Sequence, residues 1–181
     1  MVPGGSAPVK PDPTPSDQSG GSVAGLKAAY RSLVANQALR GAAFGAVAAG
    51  LLDEELRSLL AHAGAERRVA VVALGSYARR ELCPGSDVDV MLLYETVRRR
   101  RGNKDVAALA ERLWYPLWDA GFVLGHATRT VKDCVALAED DLDAMTSFLQ
   151  IRHVAGDESL TAELSERALA LVRRRADRLI A

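Results

Sequence analysis

Apolar residues recur along this chain at two spacings, which separate helical segments from extended ones. Between residues 23 and about 40 they return every three or four positions, so an amphipathic helix is predicted there. A second helix is predicted with Asp53 as its N-cap and Gly64 as its stop. The alanine- and glycine-rich residues 41–50 between them fit either a continued helix or a break.

Continuous apolar runs mark the centre of the chain. Residues 69–74 and 90–93 are predicted to be buried strands, and a third strand is predicted to begin at Phe122. Thr130 and Asp133 fit the pair of residues that caps a following helix. The remaining helical patterns cover residues 106–117, 134–138, 142–149 and 160–179. The predicted order is therefore helices, strand, turn, strand, helix, strand and helices.

Composition changes this picture mainly at the N-terminus. Residues 1–22 hold five of the seven prolines together with glycines and serines, which predicts a disordered tail. Lys plus Arg equals Asp plus Glu at 23 each, so net charge gives no argument for a nucleic-acid partner. Cys83 and Cys134 fit neither a metal site nor a disulfide framework, and no apolar run suggests a membrane span or signal peptide. We therefore expect a cytoplasmic protein without a membrane partner.

A glycine-serine pair closes the first predicted strand. If Gly75-Ser76 opens a helix, unpaired N–H groups, the helix dipole and the Ser76 hydroxyl all favour a bound anion such as phosphate. Strand-to-helix turns also contain these two residues for conformational reasons alone.

Two aspartates open the second predicted strand. Asp87 and Asp89 point to the same face if the strand begins there, with Cα atoms roughly 6 to 7 Å apart. Neighbouring carboxylates repel each other, so a cation between them is the favoured explanation. Mg²⁺ is commonly held by one or two carboxylates together with substrate phosphates, which makes a nucleoside triphosphate the expected ligand. The alternative is a capping or turn role after residues 84–86.

These motifs resemble the signature of the DNA polymerase β-like nucleotidyltransferase superfamily, and within it the PII uridylyltransferase branch. The segments that carry the resemblance are Gly75-Ser76, Arg79, Glu81-Leu82, Pro84, residues 86–89, 113–121 and 124–126, and Arg129-Thr130. The resemblance implies an α/β (α+β) fold, with a small mixed sheet backed by helices and helical extensions at both ends. The expected division is a disordered tail (1–22), an N-terminal helical arm (23–66), a nucleotidyltransferase core (67–140) and a C-terminal helical extension (141–181).

The resemblance also implies roles for individual residues. Asp87 and Asp89 would be catalytic and would ligate Mg²⁺, and the nucleotide-binding residues would be Gly75, Ser76, Arg79 and Ser86. Glu81 would orient the loop or the phosphates. The implied reaction is attack by a tyrosine hydroxyl of the PII signal-transduction protein on the α-phosphate of UTP, with release of pyrophosphate. ATP remains open as the donor.

The sequence does not show which residue would be the third metal ligand. Many superfamily members supply a third carboxylate from the next strand, where this chain has Gly125-His126. Asp119, at the end of the preceding helix, is the candidate for this ligand. His126 is a candidate for a positioning role, although a lone histidine on such a strand is more often structural. Glu81 and Arg129 are the other supporting candidates. Two other functions stay open: a small nucleotidyltransferase acting on an aminoglycoside or a partner toxin, and a non-catalytic module that binds nucleotide or PII.

Overall fold

The computed structural model describes residues 20–64, 68–96 and 102–180. The predicted tail lies outside these ranges except for residues 20–22, where the first helix already begins. Helix α1 spans Gly20–Ala35 and α2 spans Ala42–Ala63. Gly64 ends α2 in the left-handed conformation, with φ of 59°, so the predicted stop is confirmed.

Asp53 is not the N-cap of a helix, and that prediction is wrong. Helix α2 runs without interruption from Ala42, so Asp53 lies in its middle. Its side chain is 1% exposed and bonds to Tyr77 and Arg152. Residues 41–50 do not continue α1, which ends at Ala35. A new helix begins after Gly41 and runs through Gly45 and Gly50, and its small residues Ala48 and Ala49 pack in the core.

The described residues form a four-stranded mixed sheet of order β3-β2-β1-β4. Strand β1 (Val69–Ala73) pairs antiparallel with β2 (Val88–Tyr94) and with β4 (Arg152–Gly156), whereas β3 (Leu124–Arg129) runs parallel to β2. The small mixed sheet expected from the sequence is therefore confirmed, and the three predicted strands are all in it.

Helices cover both faces of this sheet because side chains of β1 and β2 alternate between two cores. The first core joins Val71, Val90 and their neighbours to α1, α2 and α4 (Gly102–Ala120). The second joins Val72, Met91 and their neighbours to α5 (Val131–Asp140), α6 (Leu142–Ser147) and α7 (Glu158–Ile180). A short helix α3 (Gly75–Ala78) and a 3₁₀ turn (Phe148–Gln150) complete the elements of the described ranges.

Strand β4 was not predicted, because residues 152–156 contain a single β-branched side chain. It lies inside the range expected to be a C-terminal helical extension. Gly156, with φ of 89°, lets β4 approach β1 closely: a Cβ there would lie 2.2 Å from the carbonyl oxygen of Val69. The division of the chain at residue 140 stays a prediction, although one strand of the sheet comes from beyond it.

The predicted helix cap and the predicted absence of a membrane span can also be compared with the structure. Thr130 and Asp133 form the predicted capping box, in which each side chain accepts a bond from the other residue's backbone N–H. Across the described parts of the chain, no helix is both long enough and apolar enough to cross a membrane.

Candidate functional site

The sheet register brings the glycine-serine turn beside the aspartates. Strand β1 ends where β2 begins, with Ala73 opposite Val90. The backbone N–H of Leu74 then donates to the carbonyl oxygen of Asp89 at 2.9 Å. Gly75 follows directly as the first residue of α3, so the turn and the start of β2 form one edge of the sheet.

The carboxylate of Asp89 lies between two glycines. A Cβ on Gly75 would stand 2.9 Å from Oδ2 of Asp89, and a Cβ on Gly125 would stand 2.1 Å from Oδ1. Gly75 also has φ of 53°, a conformation that residues with side chains rarely adopt. Gly125 is the residue that pairs with Asp89 across β2 and β3. Any side chain at these two positions would therefore displace the carboxylate.

Gly125 explains why β3 offers no acid where a third ligand was expected. An acidic side chain at this position would collide with Asp89 as placed here. Across the described residues, no group of three or more His, Cys, Asp or Glu side chains is arranged to hold a metal ion. The arrangement thus supplies two carboxylates, and other ligands would have to come from phosphates and water.

The electrostatics of the pair favour a cation. Within the described ranges, no hydrogen bond or ion pair reaches the carboxylate of Asp87 or Asp89. Asp89 is partly buried, and this burial, together with the charge of Asp87, raises the pKa of its carboxyl. Two unpaired carboxylates with a partly desolvated member fit a hard divalent cation such as Mg²⁺, which prefers oxygen ligands.

Helix α3 presents backbone donors to the same edge. The first N–H groups of any helix have no partner inside it, and here they belong to Gly75, Ser76 and Tyr77. The next two N–H groups bond to the carbonyls of Leu74 and Gly75. The arrangement therefore offers donors for an anion beside the carboxylates that would hold a cation.

Three other predicted residues surround this turn. Arg79 ends α3, and its guanidinium donates to Glu81 at 2.7 Å and to Gln150 at 3.1 Å. Arg79 and Glu81 therefore form an exposed ion pair directly after α3. The Ser86 hydroxyl accepts from the N–H of Cys83 and donates to its carbonyl, so it closes a turn just before Asp87.

The remaining supporting candidates are not brought to the carboxylates. His126 pairs with Val90 and faces the first core, where its ring centroid lies 5.1 Å from that of Trp118. Asp119 is exposed near the end of α4, which packs on the same face as His126. Arg129 follows Gly125 by four residues on β3, or about 13 Å along a strand.

The mixed sheet holds a glycine turn beside two aspartates, which is the arrangement that the resemblance to nucleotidyltransferases implies. The family model described as "Putative nucleotidyltransferase DUF294" matches residues 26–133. Because this match spans more than half of the 181 residues, the chain belongs to the DUF294 nucleotidyltransferase family.

Curated relatives carry the name bifunctional uridylyltransferase/uridylyl-removing enzyme. The one from Streptomyces coelicolor is 44% identical over 123 residues, which are 67% of this chain and 14% of that protein. Those from Mycobacterium tuberculosis (strain CDC 1551 / Oshkosh) and Phenylobacterium zucineum are 43% and 40% identical over 95 and 100 residues. These matches cover 52% and 55% of this chain and 11% and 10% of the relatives. The chain thus spans about a seventh or less of the length of these relatives.

Among solved structures, a toxin-antitoxin crystal structure with AMP-PNP matches with a TM-score of 0.44 and 15% identity. The match covers 71% of this chain and 93% of that chain. A likeness at this level supports neither a shared fold nor a shared function.

Proposed function

We propose that this chain is a Mg²⁺-dependent nucleotidyltransferase domain that transfers UMP from UTP to a tyrosine of a PII-type regulatory protein. The observation that carries the proposal is the pair Asp87 and Asp89, whose carboxylates receive no hydrogen bond or ion pair within the described ranges, with Asp89 lying against Gly75. The names of the relatives support UTP as the donor, and the sequence resemblance supports a PII tyrosine as the acceptor.

The residues at this edge of the sheet would have two roles, to bind the metal ion and to bind the triphosphate. Asp87 and Asp89 would hold Mg²⁺, which when bound polarises phosphate oxygens and lowers the pKa of an attacking hydroxyl. The N–H groups at the start of α3 would bind the triphosphate, and Gly75 leaves room for it to approach. The tyrosine hydroxyl releases its proton to solvent, and its oxygen forms a bond to the α-phosphorus as the bond to pyrophosphate breaks. Pyrophosphate leaves with the electrons of that bond.

A direct test supplies labelled UTP or ATP in parallel, Mg²⁺, and a PII protein with or without its modifiable tyrosine. We expect label on PII with UTP only when the tyrosine is present. Label from ATP instead of UTP would show that ATP is the donor. Label on the tyrosine-free PII would overturn the assignment of the tyrosine as acceptor. Absence of label under every condition would overturn the proposal.

Asp87→Asn tests the metal assignment in the same assay. Loss of one ligand should slow transfer by about 10² to 10⁴. Asp140→Asn is the matched control, because it makes the same change at an exposed carboxylate near the end of α5. A wild-type rate for Asp87→Asn would exclude this carboxylate as a ligand.

One observation favours a second candidate, a module that binds nucleotide without turnover. The part of the chain that the structure describes brings no third carboxylate to Asp87 and Asp89. Calorimetric binding of UTP or ATP without release of pyrophosphate, with PII and with other acceptors, would favour the binding module over the enzyme.

A further inference from the structure

A buried carboxylate in α2 joins three separate parts of the chain. Asp53 accepts a 2.7 Å bond from the Tyr77 hydroxyl in α3. It also accepts two bonds from Arg152 in β4, at 2.8 and 3.0 Å, in the two-pronged geometry that suits a guanidinium. Burial, followed by the charge of Asp53, raises the pKa of Tyr77 well above its ordinary value, so the phenol stays protonated and donates.

Arg152 reaches past Asp53 to the backbone of α3. Its Nε donates to the carbonyl of Ala78 at 3.1 Å, and Nη2, one of the two nitrogens that contact Asp53, also donates to the carbonyl of Tyr77 at 3.2 Å. Its guanidinium carbon lies 5.1 Å from the centre of the Tyr77 ring. The last carbonyls of a helix have no partner inside it. Arg152 bonds to that of Ala78, and it shares that of Tyr77 with the backbone N–H of Arg80.

Helix α3 needs such an anchor because it has only four residues. A single helical turn is unstable by itself, since nucleation fixes several dihedral angles for one bond. The turn begins at Gly75 beside Asp89, and Arg152 holds its other end. Tyr77, which has no exposed surface, fixes the middle by its bond to Asp53.

We propose that Arg152 is a positioning residue for the anion-binding turn, with Asp53 orienting its guanidinium. The inference rests on the proposed function for the ligand of the turn, but the anchoring itself rests on the bonds described. Arg152 lies beyond residues 26–133, where the family model matches, so the site depends on a residue outside that match.

A buried ion pair that serves stability alone is the competing explanation. Arg152→Lys separates the two, because lysine keeps a positive charge opposite Asp53 but lacks the planar set of donors that reaches the carbonyls of α3. If Arg152 only neutralises Asp53, the lysine variant should bind nucleotide like the wild type. If it positions the turn, nucleotide affinity should fall even well below the melting temperature of the variant, where the protein is folded.

The experiment combines amide hydrogen exchange of peptides spanning residues 74–82 with calorimetric binding of UTP and Mg²⁺. Both are measured well below the melting temperatures of wild type, Arg152→Lys and Arg152→Met. The matched control is Arg57→Met, which removes a cation 3.8 Å from the same carboxylate and a 3.0 Å bond to the carbonyl of Val154 in β4, but leaves the bonds of Arg152 to α3 in place. We expect faster exchange at the turn in both Arg152 variants and weaker nucleotide binding by about 10- to 100-fold. Arg57→Met should match the wild type in both measurements.

Hydrogen exchange and nucleotide binding together distinguish a failure of the positioning role from a failure of the proposed function. Exchange at residues 74–82 that is unchanged in Arg152→Met and Arg152→Lys would overturn the positioning role. Unchanged nucleotide affinity in these variants would overturn it as well, where the wild type binds. Faster exchange in a protein whose wild type binds no nucleotide would support the anchoring and count against the proposed function.

Discussion

Asp53 and Asp89 are two carboxylates with opposite surroundings. Asp53 is 1% exposed and receives bonds from Tyr77 and Arg152, with Arg80 at 3.5 Å as a further cation. Asp89 is partly buried between Gly75 and Gly125, and within the described residues its oxygens receive no hydrogen bond. Among the residues that the structure describes, Asp53 has hydrogen-bond partners and Asp89 has none.

The difference separates a structural role from a ligand-binding one. Removing one partner of a buried ion pair is strongly destabilising because a buried charge is left behind. A partly buried carboxylate beside a like charge weakens the fold unless a cation joins it, and such strain is typical of functional sites. Asp53 should therefore matter most for folding, and Asp89 for binding.

The largest effect on folding should come from Asp53→Asn. The change leaves Arg152 without its charged partner, so we expect the free energy of unfolding to fall by about 3 to 5 kcal/mol. Denaturant unfolding measures it, with Asp140→Asn, the same change at an exposed carboxylate, as the control. A loss below about 1 kcal/mol would place Asp53 among weak surface pairs and end the contrast with Asp89.

Gly125→Ala should impair the site more than the fold. The added Cβ would lie 2.1 Å from Oδ1 of Asp89, so the carboxylate must move away. A displacement of this kind should slow nucleotidyl transfer by about 10²-fold. The control is Gly50→Ala in α2, where a Cβ meets nothing within 4 Å. A wild-type transfer rate for Gly125→Ala would show that the position of Asp89 does not matter.

Asp89→Asn should stabilise the protein in the absence of metal. The raised pKa of Asp89 means that its charged form is disfavoured in the folded state, so stability falls as pH rises through this pKa. Removing the charge should raise the free energy of unfolding at pH 7 by less than about 1 kcal/mol, since solvent screens the site. The gain should vanish below the ordinary pKa of aspartate. A destabilised Asp89→Asn would contradict the contrast with Asp53.

The smallest effect is expected at Asp157, which is also ion-paired but is more exposed than Asp53. The hydrogen bond from Arg68 lowers the pKa of Asp157 to about 2 from its ordinary 3.8. Its contribution to stability is therefore present above the ordinary value and is lost as pH falls toward 2. Asp157→Asn should flatten the acid side of the stability curve in that window. An unchanged acid profile would remove this contribution.

Sequence reasoning reached the turn and the carboxylates because their pattern is local. Residues 69–89 contain an apolar run, a glycine-serine pair and two aspartates. These local patterns predict a strand, a turn and a second strand without any knowledge of the tertiary structure. The surroundings of His126 could not be predicted in this way. The register of β3 against β2 decides that its ring faces the tryptophans, and this register is not visible in the local sequence.

The partners of Asp53 are harder to predict. Arg152 lies 99 residues away, and β4, which carries it, has little β-propensity of its own. A polar residue amid an apolar helical stripe was the available signal, since Leu52 and Leu56 flank Asp53 and are fully buried. Such a residue is either a cap or a buried partner, and only the tertiary structure separates the two.

The most direct test of the Asp87–Asp89 site is calorimetric binding of UTP with and without Mg²⁺, compared among the wild type, Asp89→Asn and Asp140→Asn. We predict that Mg²⁺ strengthens UTP binding to the wild type and to Asp140→Asn but not to Asp89→Asn. An Asp89→Asn protein that gains as much affinity from Mg²⁺ as the wild type would contradict the assignment of Asp89 as a metal ligand.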